Sequence, residues 1–94
     1  MSIKAKIESL GLTLPQAALP VAAYVPAVKT GNLVFVAGQL PLVDGKIVKE
    51  GKVGKEVTAD EAKEMAQLCA LNALAALSLV ADIDQIERVV RVGG

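Results

Sequence analysis

The hydrophobic rhythm of the chain changes twice. Between Ser2 and Gly11 the apolar positions Ile3, Ile7 and Leu10 recur at helical spacing, with Ser2 placed to cap the first turn and Gly11 to end the helix. Residues 12–23 are interrupted by Pro15 and Pro20 and read as an extended lead-in, so residues 1–23 form a helix followed by a connecting arm. From Tyr24 the period falls to two. Residues 24–29 and 33–38 are rich in β-branched residues and predict two strands, and Gly31-Asn32 between them supplies the positive φ of a tight hairpin. The near-continuous Leu33-Val34-Phe35-Val36-Ala37 predicts a central strand buried on both faces. Asp44-Gly45 marks a second, more polar hairpin joining residues 40–43 to Ile47-Val48. The charges of residues 46–56 alternate in sign and read as a solvated loop.

Thr58 and Glu61 then form an S/T-x-x-E capping box, and Asp60, Glu61 and Glu64 set negative charge against the positive end of a helix dipole. Met65, Cys69, Asn72, Ala73, Ala76, Leu77 and Val80 make one helical stripe, while Leu68, Leu71, Ala75 and Leu79 make the adjoining side apolar as well. A helix apolar on two sides needs two neighbours: a sheet, and either another helix or another subunit. Asn72 reads as a satisfied polar residue within that packing rather than as a ligand-orienting group. Asp82 and Asp84 read as cap and turn residues rather than as a catalytic pair. Residues 86–92 alternate as a last strand, which a right-handed crossover would lay parallel to an earlier one. The expected fold class is α+β, one domain over residues 1–94, with a helix packed on one face of a mixed sheet.

Composition narrows the chemistry. With no histidine among 94 residues, Ser-His-Asp and Cys-His catalysis and His-ligated metal sites are excluded within this sequence. A single cysteine, Cys69, cannot close an internal disulfide; in its apolar run it reads as a small buried hydrophobe in a reducing compartment, so the expected location is cytoplasmic. Ten basic and ten acidic residues cancel, and Tyr24 and Phe35 are the only aromatics, so neither a phosphate-tracking groove nor a base-stacking platform is expected, and no nucleic-acid partner. The uncharged run of residues 65–81 carries Gln67, Asn72 and Ser78 and predicts a buried helix rather than a membrane span. An apolar share of 53% is more than one small core hides, and it predicts contact with another chain.

Gly51-Lys52-Val53-Gly54-Lys55 lacks the spacing of a phosphate-binding loop and the hydroxyl after its lysine. The segment with most chemical promise is Gly38-Gln39-Leu40-Pro41, where a strand stops at a glycine and the chain turns at a proline. Glycine admits a ligand close to the main chain, and a strand end offers free N–H groups to a carboxylate or oxyanion; the same residues also serve a simple corner.

The run from Ala27 through Val34-Phe35-Val36-Ala37-Gly38-Gln39-Leu40-Pro41 resembles the signature hairpin of the Rid family, the YjgF-type reactive-intermediate deaminases, and the resemblance continues through the capped helix to residues 86–94. It implies a chorismate-mutase-like α+β fold, a trimer with ligand clefts between subunits, and hydrolysis of amino-acid-derived enamines and imines without metal or cofactor. Among the residues here, it implies that Tyr24 lines the cleft and that Ala37, Gly38 and Gln39 form the strand-end wall facing an imino or keto acid. Two departures follow from it. Family members often carry serine where this chain has Ala37, and the arginine that clamps the substrate carboxylate belongs to later strands, after a second long helix, with no counterpart among these 94 residues. Arg88 and Arg91 differ in parity along their strand and would point to opposite faces. The sequence reading is thus of a partial Rid-like domain with impaired deaminase activity, the alternative being a non-catalytic oligomer that binds small ligands.

Overall fold

The computed structural model describes residues 2–15, 26–43 and 46–93. Helix α1 (Ile3–Ser9) starts at Ser2, whose hydroxyl accepts from the Ala5 amide at 3.0 Å, and its exit runs through Gly11 at φ +76. Strands β1 (Ala27–Thr30) and β2 (Leu33–Val36) pair antiparallel, with Val28 opposite Phe35 and Thr30 opposite Leu33. The two-residue turn between them has Gly31 at φ +55, a conformation costly for any residue with a Cβ. The short strands β3 (Leu42–Val43) and β4 (Lys46–Ile47) form a second antiparallel pair, extended by the Val48 amide donating to the Pro41 carbonyl at 3.1 Å. The Asp44-Gly45 turn and the 16–25 arm, Tyr24 included, lie outside the described residues.

Helix α2 (Ala59–Leu77) is 19 residues long and contains no glycine, proline or β-branched residue, and alanine, leucine, glutamate, lysine, glutamine and methionine, all strong helix formers, make up most of it. Its start is fixed by the predicted capping box: Thr58 Oγ1 accepts from the Glu61 amide and Glu61 Oε1 accepts from the Thr58 amide, both at 3.1 Å. Glu61 Oε2 also takes the Lys49 ammonium at 2.7 Å, which ties the loop after β4 to the first turn of the helix. That ion pair, followed by the Thr58 amide, holds the Glu61 carboxyl below the ordinary value of 4.5. A carboxyl depressed in the folded state lends stability above its unfolded value and withdraws it as the pH falls through the folded one. Acid unfolding of E61Q is therefore expected to show a shallower loss of Tm than the parent below pH 4.5 and an unchanged slope above pH 6; parallel curves throughout would show that the carboxyl contributes nothing.

The helix lies on one sheet layer, packing against β1, β2 and β3. Leu71, Ala75 and Ala76 are its buried residues; Ala27 of β1 is buried as well, and so is Val57, just before the helix. Small residues at Ala27, Ala75 and Ala76 let the backbones approach, so Leu71 and Val57 carry most of the buried side-chain volume there. A satellite contact lies at the other end, where α1 packs on a 3-10 turn, α3 (Ile83–Gln85), with Ile7 and Ile83 buried. Asp82 caps that turn by accepting from the Asp84 amide at 2.9 Å, and Asp84 Oδ1 accepts from the Lys4 amide at 3.2 Å. The two acids thus do the cap and turn work expected of them.

Three expectations are corrected. The β2 strand is not buried on both faces: Val34 and Val36 are half-buried towards the helix, while Leu33 and Phe35 are 48% and 61% exposed. The reason is that a single helix covers a single face, and within this chain nothing among the described residues covers the other. Residues 86–93 do not form the last strand, and the sheets among the described residues are antiparallel pairs with one isolated parallel bridge, Val53 to Val57, rather than a mixed sheet. The Asp84 bond to Lys4 directs the chain towards α1 as it leaves the 3-10 turn, and Val89, Val90 and Val92 stay largely exposed. Cys69 is half-buried rather than buried, because the second layer that its helix stripe would need is not formed here. The Cα radius of gyration, 14.0 Å, exceeds the about 12 Å of a compact chain of this length. The α+β class itself stands, with helix on one sheet face.

Candidate functional site

The end of β2 is built by two hydrogen bonds of different kinds. The Ala37 amide donates to the Pro26 carbonyl at 2.9 Å, carrying the ladder one step beyond the strand, and the Gln39 side chain folds back so that its Nε2 donates to the Ala37 carbonyl at 3.1 Å. Both backbone groups of Ala37 are thereby engaged. Past this point the ladder stops: among the described residues, neither the Gly38 nor the Gln39 amide donates a backbone hydrogen bond. Gly38 is exposed, Ala37 and Gln39 half-buried. A Cβ built on Gly38 would meet nothing within 4 Å, and its φ lies outside the left-handed region, so neither packing nor backbone strain demands glycine here.

The next residues are held from behind by the helix. Asn72, half-buried on α2, donates from Nδ2 to the Leu40 carbonyl at 3.1 Å, across 32 residues of sequence. It is the satisfied polar residue that its place in the apolar stripe predicts, and one of its partners is the Leu40 carbonyl in the loop after the strand end. Sequence reasoning placed Ala37, Gly38 and Gln39 together, and the structure does bring them to one strand end. The fourth predicted residue, Tyr24, lies outside the described residues. Arg88 and Arg91 are both exposed on the terminal segment rather than on a strand.

A shallow depression lies elsewhere, between the loop after β4 and the start of α2, lined by Val48, Lys49, Glu61, Glu64, Met65 and Leu68. Its charged groups are the capping glutamate and the lysine paired with it, so its polar chemistry is already used in fastening the loop to the helix. Among the described residues no cluster of three or more His, Cys, Asp or Glu side chains is arranged to hold a metal ion, and no helix is long and apolar enough to cross a membrane.

The strand end, hairpin and capped helix have counterparts in other proteins. The family profile described as "YjgF/chorismate_mutase-like, putative endoribonuclease" matches residues 4–94. The chain belongs to the YjgF/chorismate-mutase-like family. Among solved structures, this YjgF-like chain is similar to a protein of unknown function from Agrobacterium tumefaciens, at 41% identity and a TM-score of 0.76, over 94% of this chain and 53% of that one. It is also similar to a protein from Shewanella oneidensis that carries the same endoribonuclease designation, at 27% identity and a TM-score of 0.84, over 95% of this chain and 60% of the other. The chain thus spans between half and two thirds of the length of these two relatives. No functionally curated protein matches the sequence.

Proposed function

We infer that this YjgF-like chain supplies the ligand wall of a site that hydrolyses enamines and imines derived from amino acids, releasing ammonia and a keto acid. The observation that carries the reading is the pair of strand-end amides, Gly38 and Gln39, with no backbone acceptor among the described residues and open space above the glycine. Adjacent strand-end N–H groups that the described residues leave without a backbone acceptor are suited to a carboxylate or to an oxygen that gains charge during water addition. Water adds across the C=N bond of the imino acid; the carbon gains the hydroxyl, the nitrogen takes the protons and leaves as ammonia, and the C=O bond of the keto acid remains. Ala37, Gly38 and Gln39 orient the acid in this scheme, with Tyr24 from the preceding arm as a further lining residue.

A carboxylate held by amides alone is oriented less firmly than one held by a bidentate guanidinium, and the resemblance places that arginine outside these 94 residues. The expected activity is accordingly weak. Keto-acid release from freshly generated 2-aminoacrylate should exceed the buffer rate, with KM raised well above about 1 mM, the upper end of ordinary values. Release at the buffer rate would overturn the deaminase reading for this chain. The endoribonuclease designation of the family gains no support here: ten basic residues balanced by ten acidic ones offer no excess positive charge for a polyanion, and no histidine is present to move protons at the 2′-hydroxyl. The reading includes self-association, since Val28, Leu33 and Phe35 share the sheet face opposite α2 and all three are exposed.

A further inference from the structure

We propose that Asn72 is a positioning residue for the strand-end wall, acting through the Leu40 carbonyl rather than by touching a ligand. The proposal rests on the reading of Ala37, Gly38 and Gln39 as that wall. Past Ala37, among the described residues, the next tie of the backbone before the β3–β4 pair is the carbonyl of Leu40 on the Asn72 side chain. The Leu40 side chain is 55% exposed, so packing of that side chain does not fix the loop. Gln39 anchors one end through the Ala37 carbonyl, and Asn72 anchors the other; the two amides of Gly38 and Gln39 lie between these fixed points.

The anchor itself is firm. Asn72 sits one residue from buried Leu71 and three from buried Ala75, in the most deeply packed part of a continuous helix. Its amide therefore presents a donor from the packed helix layer to the loop after the strand end, which is how a scaffold presets main-chain donors before a ligand arrives. A polar side chain on the apolar stripe costs stability unless it is paired, so the site retains a residue that serves the loop as well as the helix.

The test compares the parent chain with Asn72→Ala by two measurements: amide chemical shifts and exchange at residues 38–40, and calorimetric affinity for 2-oxobutanoate, a stable keto-acid product. The expected result is shifted resonances and faster exchange at residues 38–40, unchanged resonances at the Gly31-Asn32 turn, and affinity weaker by about tenfold, the loss typical of one orienting hydrogen bond. Asn72→Gln, which keeps the donor, should recover part of both signals. Unchanged amides at 38–40, or a shifted loop with undiminished affinity, would overturn the proposal. If the parent itself does not bind 2-oxobutanoate, the deaminase reading fails while the amide shifts still decide whether Asn72 sets the loop. Should N72A fail to fold, Asn72→Asp, of the same size without the donor amide at neutral pH, is read in the same way.

Discussion

Replacing Gly38 by valine is expected to lower kcat/KM for imine hydrolysis by about 100-fold while leaving the thermal midpoint unchanged or slightly raised, the separation that marks a residue conserving space for a ligand rather than for the fold. The stability half of the expectation follows from the geometry. Gly38 is exposed, its φ lies outside the left-handed region and a Cβ there has open space on all sides within 4 Å, so a side chain meets neither clash nor strain. Substitutions at such positions stay within about 0.5 kcal/mol, and restricting the unfolded chain acts in the favourable direction. The catalytic half follows from the proposed site: a branched side chain would fill the open space beside the Gly38 and Gln39 amides. Kinetics on 2-aminoacrylate beside a melting curve provides the check. Undiminished turnover would remove Gly38 from the site, and a fall in Tm of more than about 5 °C would show that glycine is needed for the corner itself.

Leu71→Ala has the largest expected effect on stability. Leu71 is 8% exposed at the middle of α2, in a core otherwise supplied at this layer by small alanines and Val57. Removing a buried leucine costs about 2–4 kcal/mol from lost transfer energy and the cavity left behind. In a domain of this size each kcal/mol moves the midpoint by roughly 4–8 °C, so Tm should fall by at least about 8 °C. The alanines cannot refill the space, since Ala27, Ala75 and Ala76 have no rotamers to move into it. A drop below about 5 °C would mean that the helix is not fastened to the sheet through this residue. The effect should also reach the candidate site, because Asn72 is its neighbour on the helix and the Leu40 carbonyl follows wherever that helix goes.

What was legible in the sequence was local. Ser2 as a cap, Gly31-Asn32 as a turn, Thr58 with Glu61 as a reciprocal box and Asp82 with Asp84 as a second cap each depend on atoms within a few residues, and each forms as read. The strand end at Ala37-Gly38-Gln39 was legible for the same reason. What failed required a distant partner. Leu33 and Phe35 have the composition of a doubly buried strand, yet burial is granted by the layer on the far side, and nothing in these residues supplies it. Residues 86–92 have the alternation of a strand, yet a strand exists only through its neighbour, and the bond from Lys4 to Asp84 commits the preceding turn to α1 instead.

The sequence by itself thus determined the helices, the Gly31-Asn32 turn and the strand end at Ala37, because periodicity, caps and glycine act over one or two turns of chain, while the signature run of residues 27–41 carried the resemblance to the family. Only the tertiary structure decided that the Leu40 carbonyl accepts from Asn72, that a Cβ at Gly38 would meet nothing within 4 Å and that the described residues leave Leu33 and Phe35 exposed on one sheet face. Those facts concern groups 32 residues apart in the chain, or the lack of any group at all, and their energies arise only once the helix has settled on the sheet.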